Sequence, residues 1–370
     1  MSDKQSSYLI IGGGVFGAST AYHLSRAHPG ASIILLDRTS SFPNPVAASH
    51  DYNKICRADY SNLFYCRLAL EALEAWYKDS LFKPFFHRTG MAVIDFVGHG
   101  PKIIENYKTL GAHPSAMTVS PNELRKRYDK LFEDAIYEGS KGIFINPLSG
   151  WADATLAVRK VTETAISNGV QYISGDVETL TFDANGDCSG VKTKDGRVLE
   201  AGKIILSTGA GTARLLANSA PDRKELQSGD RITAAGVVTG CFLLNQVERE
   251  RFKNIPVLVH ESSDVRGVFS QFSLQIFITN GVSGEVIPAT SDGFLKICVD
   301  YSFKNTSLHA QSGQIISAPP DDSDQGQHNV PQSLQDECRR AAKGIFGKEL
   351  PDRDFHSFRI CWYERPLKNG

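Results

Sequence analysis

Neither sign of charge prevails in this chain. Its 370 residues carry 40 Lys and Arg against 41 Asp and Glu, a formal net charge of -1. That balance argues against a nucleic-acid surface and against a polybasic membrane patch, since both need a field of one sign. No uninterrupted apolar run reaches transmembrane length, although 41% of the residues are hydrophobic. The composition fits a large buried core and two domains. Paired cysteines are missing as well. The 7 Cys lie at 56, 66, 188, 241, 298, 338 and 361, with no CxxC and an odd count. This offers no structural zinc or other metal site and suits a reducing compartment. No secretory leader or other targeting signal is expected either, since the first strand reads from Tyr8 and the glycine loop from residue 12.

What is present starts at once. The run YLIIGGGVFGASTAYHLSRAHPGASIILLD reads as strand, glycine loop, helix and second strand. Gly12 permits the tight turn, Gly14 lets the backbone approach a pyrophosphate, and Gly17 lets helix and strand pack closely. The helix N-terminus offers free N–H groups and partial positive charge to phosphate. Asp37 follows 25 residues after Gly12, near the spacing at which an acid accepts hydrogen bonds from a ribose 2′-OH. Its carboxylate favours FAD or NAD over NADP. Ile11, Val15, Phe16 and Arg38 flank these positions and belong to the same candidate nucleotide-binding set.

Further along, 61–79, 101–110, 120–130 and 333–346 read as helices, the third capped by Ser120 with Pro121 in its first turn. Residues 89–96, 170–180, 231–245 and 285–300 read as strands, and 311–332 as a polar loop. From 181 the chain alternates and turns at Asn185-Gly186 and Asp195-Gly196, a β-meander. Lys203–Leu206 is then a second apolar strand, ending in the small-residue loop STGAG at 207–211. Such a meander and loop favour FAD over a nicotinamide cofactor. Val177, Thr208, Gly209 and Ala210 join the cofactor-binding candidates, with an ordinary turn as the alternative for the loop.

Three other places carry chemistry. SHDYNKICR, 49–57, packs Ser49, His50, Asp51, Asn53, Lys54 and Arg57 into one loop after the second strand. Beside a flavin, His50 or Lys54 would stabilise negative charge on the ring; the alternative is a solvated surface loop. Lys296 lies in FLKIC, an apolar strand, where an ammonium is costly to bury unless paired. It is either a solvent-facing edge residue or a cation held over a cofactor ring. Cys361 in FRICWY is either an inert buried thiol or a functional one.

Together, GGGVFG, SHDYNKICRADY, LSTGA, FLKIC and FRICWY resemble the sarcosine oxidase and fructosyl-amino acid oxidase family of FAD-dependent amine oxidases, in its fungal form. The resemblance spans most of the chain. It implies an α/β fold: an FAD-binding Rossmann-like domain of glutathione-reductase type with an antiparallel-sheet α+β substrate domain. The division would be 1–60, 142–222 and 350–370 for FAD, and 61–141 and 223–349 for substrate. It implies FAD bonded covalently through Cys361, Lys296 as the oxygen-activating residue, and the 49–57 loop beside the ring. The activity implied is oxidation of a C–N bond in a secondary amine (sarcosine, pipecolate, saccharopine or a fructosyl amino acid) by O₂, giving an imine and H₂O₂. The substrate carboxylate needs a cationic clamp, for which Arg57 and Arg359 are the candidates. No nucleic acid or membrane partner is expected, a monomer is, and cytoplasm or peroxisome is the expected setting.

Two features depart from the family pattern. Relatives continue well beyond the cysteine, whereas this sequence runs CWYERPLKNG to Gly370. Part of the flavin pocket would then be missing. Residues 262–284 also do not read as the compact hairpin expected before FLKIC. Two alternatives therefore stand beside the oxidase: an inactive flavoprotein-like domain with a binding role, marked by absence of flavin, and an FAD-dependent dehydrogenase, marked by slow reoxidation in air.

Overall fold

Two sheets organise the chain. The computed structural model describes residues 7–112, 115–229, 231–260, 265–270, 273–278, 284–299, 302–320, 326–350 and 353–366, the side chains of 265–278 and 365–366 excepted. The first sheet is wholly parallel, in the order Lys203–Leu206, Ser7–Ile11, Ser32–Asp37, Gln171–Ser174. One face is covered by helices Val15–Ala27 and Ala154–Ser167, which bury Ala18, Ala21, Val158 and Val161 against Tyr8, Ile10 and Leu35. The other face packs Leu9, Ile11 and Leu36 against Leu180 and Val191 of the meander Val177–Phe182, Cys188–Thr193, Val198–Glu200. Because both faces are covered, these strands read as continuous apolar runs. Gly186 and Gly196 turn the meander at φ +86° and +87°, a conformation that favours glycine.

The second sheet has eight strands, in the order Ser357–Pro366, Ile232–Leu243, Phe294–Val299, Gly284–Ile287, Val257–His260, Met91–Asp95, Gly142–Asn146, Met117–Val119. Its pairs are antiparallel except Val257–His260 with Met91–Asp95. One face buries Leu295, Ile297, Val238 and Leu258 against helix Gln332–Phe346, which contributes Leu334, Cys338 and Phe346. The other face looks toward the 49–60 segment, where Met91, Val93, Phe144 and Ile287 pack with Ile55 and Ala58.

Several expectations are revised. The stretch 170–180 breaks at Gly175 into Gln171–Ser174 and Val177–Phe182, strands of different sheets. The stretch 285–300 is two strands of a hairpin, Gly284–Ile287 and Phe294–Val299, because Pro288 lacks the N–H to continue the ladder and Gly293 turns the chain at φ +91°. The polar loop 311–332 contains a strand, Ile315–Ser317, paired with Thr306–Leu308. Within 262–284, Val265–Ser270 and Ser273–Ile278 pair as antiparallel strands, Gly284 opens the strand Gly284–Ile287, and the remainder lies outside the described residues. Gly142–Asn146 and Ser357–Pro366, grouped from sequence with the cofactor half, both add to the eight-stranded sheet through long antiparallel ladders. The helix expected over 120–130 is shorter: Pro121–Lys126, with Ser120 and Glu123 forming a reciprocal cap.

Candidate functional site

The carboxyl ends of the parallel strands converge on the glycine loop. Gly12 takes φ +101°, and a Cβ there would lie 2.3 Å from the Ser207 carbonyl oxygen. A Cβ on Gly17 would lie 1.8 Å from the Gly12 oxygen. Helix and strand therefore touch backbone to backbone. Helix Val15–Ala27 has Gly14 at its N-cap, with no side-chain cap and no acid in its first turn. Its leading N–H groups are thus available to an anion. The Ser49 hydroxyl is buried without a hydrogen-bond partner among the described residues, and a Cβ on Gly14 would lie 3.5 Å from it. An open helix N-terminus, a cradle only glycine leaves clear and an orphaned hydroxyl together fit a dinucleotide pyrophosphate.

Asp37 is buried at the end of its strand. Its Oδ2 accepts from Gly13 N–H at 2.6 Å and its Oδ1 from Asn44 Nδ2 at 2.7 Å. A carboxylate has about four acceptor positions, so capacity for a ribose hydroxyl remains. Gly13 and Asn44 were not singled out in sequence: Gly13 is one more glycine in a run, and nothing near Asn44 marks it. Thr208 bonds Thr212 at 2.9 Å, and Gly209–Gly211 forms a single 3₁₀ turn beside the glycine loop. Ile11 is buried in the sheet, Val15, Phe16 and Arg38 are exposed, and Val177 packs at the margin of the meander core.

The 49–57 loop is only partly solvated: Tyr52 and the Lys54 side chain reach solvent while its centre is buried. Asp51 and Asn53 are buried, and Asp51 accepts from two lysines through one oxygen. Lys296 Nζ lies 3.0 Å from Asp51 Oδ2 and Lys54 Nζ lies 2.9 Å from it. Lys296 also donates to the Asn53 carbonyl at 2.5 Å. It is 2% exposed and sits on an interior strand, so the edge-strand alternative is excluded. Burial alone would raise the Asp51 carboxyl, but the Lys296 and Lys54 ammoniums outweigh it and hold it well below the carboxylate range. For Lys54, burial pulls down, and Asp51 together with Cys361 raises it further than that. Lys54 Nζ stands 3.7 Å from the Cys361 sulfur, which is buried. Cys361, Lys54, Asp51 and Lys296 thus form one continuous polar chain. Cys241 and Cys298 flank it, and burial pushes the Cys241 thiol up to about 12 and the Cys298 thiol well above its usual value.

His50 is held below its usual pKa by burial and by Arg359. Arg359, from the last strand, donates to the carbonyls of Ala47 at 2.9 Å, Pro45 at 3.4 Å and His50, and to Gln327 Oε1 at 3.1 Å. Those bonds consume its fork, so Arg359 clamps the loop and does not serve as a substrate clamp. Arg57 is not hydrogen-bonded to the Asp51 cluster. It donates to the Asp59 carbonyl at 3.0 Å, lies over the Tyr60 ring at 4.9 Å, and lines a cavity of about 220 Å³. Among the described residues no group of His, Cys, Asp and Glu is placed to hold a metal, and no helix is long and apolar enough to cross a membrane.

Comparison with known proteins agrees with this geometry. Residues 7–238 match the model of the DAO family, FAD dependent oxidoreductases. L-saccharopine oxidase of Schizosaccharomyces pombe is 25% identical over 96% of this chain and 78% of its own length. The amino acid oxidase fsqB of Aspergillus fumigatus is 30% identical over 57% of this chain and 50% of its own. Among solved structures, the fructosamine oxidase Amadoriase II of Aspergillus fumigatus superposes with a TM-score of 0.76 at 26% identity, over 99% of this chain and 78% of that one. With a glycine loop, an open helix N-terminus and a buried acid at the end of the second strand, and with residues 7–238 matching the family model, the chain belongs to the FAD-dependent oxidoreductase family.

Proposed function

We propose that this chain is an oxidase of secondary amino acids, oxidising a C–N bond in N-methyl, cyclic or N-substituted amino acids to C=N with O₂ as acceptor and giving an imine and H₂O₂. The observation that carries this reading is Lys296: an ammonium buried on an interior strand and aimed by Asp51 and the Asn53 carbonyl. FAD, when bound, takes up the electron pair and hands it to O₂. A fixed, desolvated cation attracts the negative charge that develops on oxygen and needs no reorganisation to do so. The similarity to saccharopine oxidase and to a fructosamine oxidase supports the amine class. Lys296→Met is expected to slow reoxidation by O₂ about 100-fold, while anaerobic bleaching of the flavin by substrate is retained. Stopped-flow spectra in the two half-reactions measure this, and an unchanged oxygen rate would remove Lys296 from the role.

Cys361 is assigned the covalent link. Lys54 stands 3.7 Å from its buried sulfur, so the sulfur has a cation beside it on the strand that faces the 49–57 loop. Acid precipitation of the wild type should leave yellow colour in the pellet, and Cys361→Ser should release it to the supernatant. Colour retained by Cys361→Ser would move the attachment elsewhere. A colourless protein that added FAD does not restore would instead favour the inactive binding-domain reading.

A further inference from the structure

We propose that Arg359 and Gln327 are positioning residues for the bond between Cys361 and the flavin: they register the strand that carries the sulfur to the loop that leads from the nucleotide cradle. This rests on the covalent-flavin reading and adds the residues that let the link form. The two ends of one FAD would be held by different sheets. Asp37 and the glycine loop belong to the parallel sheet, and Cys361 to the last strand of the eight-stranded one. A bond to sulfur forms only when sulfur and ring methyl meet in line, and a misplacement of about 1 Å can cost about 100-fold in rate. Forming the link takes one hydrogen from the thiol and one from the methyl as the S–C bond is made. The two electrons pass through the flavin to O₂, which leaves with both protons as H₂O₂.

Hydrogen bonds cross from one sheet to the other in series. Asp37 accepts from Gly13 N–H and from Asn44 Nδ2. Asn44 takes the Val46 N–H at 3.1 Å on its side-chain oxygen and the Ala47 N–H at 2.9 Å on its carbonyl. The His50 N–H closes onto the Ala47 carbonyl at 3.0 Å. This turned segment is what Arg359 grips, through the carbonyls of Pro45, Ala47 and His50. Gln327 is 4% exposed and braces the same joint from a third segment. Its Nε2 donates to the Val46 carbonyl at 2.8 Å, its Oε1 accepts from Arg359 Nε at 3.1 Å, and its backbone carbonyl accepts from Ile360 N–H at 2.7 Å. Arg359 and Cys361 are two apart on one strand, so they share a face about 7 Å apart. On that face Lys54 reaches the sulfur at 3.7 Å, tying the far end of the loop to the same strand. A planar guanidinium spread over several carbonyls fixes direction as well as distance. The sulfur is thereby registered to the cradle that would hold the ribose and pyrophosphate.

The test reads bound flavin and linked flavin separately, in wild type, Arg359→Gln, Arg359→Lys and Gln327→Met. FAD is added to flavin-free protein; absorbance per chain gives what is bound, and colour in the acid pellet over time gives what is linked. The glycine loop and Asp37 keep their own contacts in all four, so bound FAD should change little. Linkage should slow about 100-fold in Arg359→Gln, and less in Arg359→Lys and Gln327→Met. Linkage at the wild-type rate in both Arg359→Gln and Gln327→Met overturns the proposal. So does a loss of bound and linked flavin in proportion with a lowered Tm, which is the mark of a merely structural role. If wild type itself leaves no colour in the pellet, the covalent reading fails on its own. Alkylation of Cys361 by iodoacetamide, mapped by mass spectrometry, then decides the registration: added FAD should shield Cys361 in wild type and lose that effect in Arg359→Gln. Equal shielding in the two overturns it.

Discussion

Gly17→Ala is expected to give a protein that purifies without FAD and unfolds more easily. The added methyl would meet the Gly12 carbonyl oxygen at 1.8 Å and the Ile10 side chain at 3.4 Å. The first of these is backbone, so no rotamer change relieves it. The helix must draw back from the strand, and the open N–H groups move away from the pyrophosphate position. Overpacking of this kind costs about 1–3 kcal/mol, and more where backbone must shift. Gly14→Ala is the control. Its methyl meets only the Ser49 hydroxyl, at 3.5 Å, an ordinary contact. That variant should lose about 1 kcal/mol or less through the cap, yet bind FAD more weakly because the methyl enters the cradle. Flavin absorbance per chain and urea unfolding measure both. A Gly17→Ala protein holding a full complement of FAD would sink the close-packing argument.

Asp51→Asn should be the most destabilising single change in the candidate site. It leaves Lys296 buried without a counter-charge, and breaking a buried pair in this way typically costs about 3–5 kcal/mol. Lys296→Met placed in that background should recover much of the loss, because it removes the orphaned charge. The pH dependence has a definite sign. The folded pKa of Asp51 is depressed, against roughly 4 in the unfolded chain. Its contribution is therefore complete above about pH 4 and is lost as pH falls toward the folded value. The gap between wild type and Asp51→Asn should hold near neutrality and narrow on acidification below that point. Urea titrations at pH 7 and pH 3 read it directly. A gap that widens at pH 3 would mean that Asp51 is not the ionised partner of the lysines.

How much of this was legible in the sequence depends on distance along the chain. GGGVFG could be read because every constraint on it is local: strand, turn and helix lie within a few residues. The meander could be read from Asn185-Gly186 and Asp195-Gly196 for the same reason. Strand partners could not. Alternation records which face a residue occupies and not which strand lies beside it, so Ser357–Pro366 gave no sign that it pairs with Ile232–Leu243. Lys296 stood out as a charge in an apolar strand, but its partner Asp51 lies 245 residues away. Arg359 and Arg57 looked interchangeable as clamps. Only the fold separates one whose donors are taken by the Pro45, Ala47 and His50 carbonyls from one that lines a cavity.

The Arg359 clamp also bears on how the protein is made. The loop it fastens, 45–50, leaves the ribosome early, and the arginine follows 309 residues later. Chains emerge at about 5–20 residues per second, so that interval lasts about 15–60 seconds. The parallel sheet can assemble once Lys203–Leu206 has been added. The loop cannot be fastened until Ser357–Pro366, which carries the arginine, has been added. Fastening of this loop is therefore a later event than assembly of the parallel sheet, and until it occurs the loop must be held by its local contacts alone.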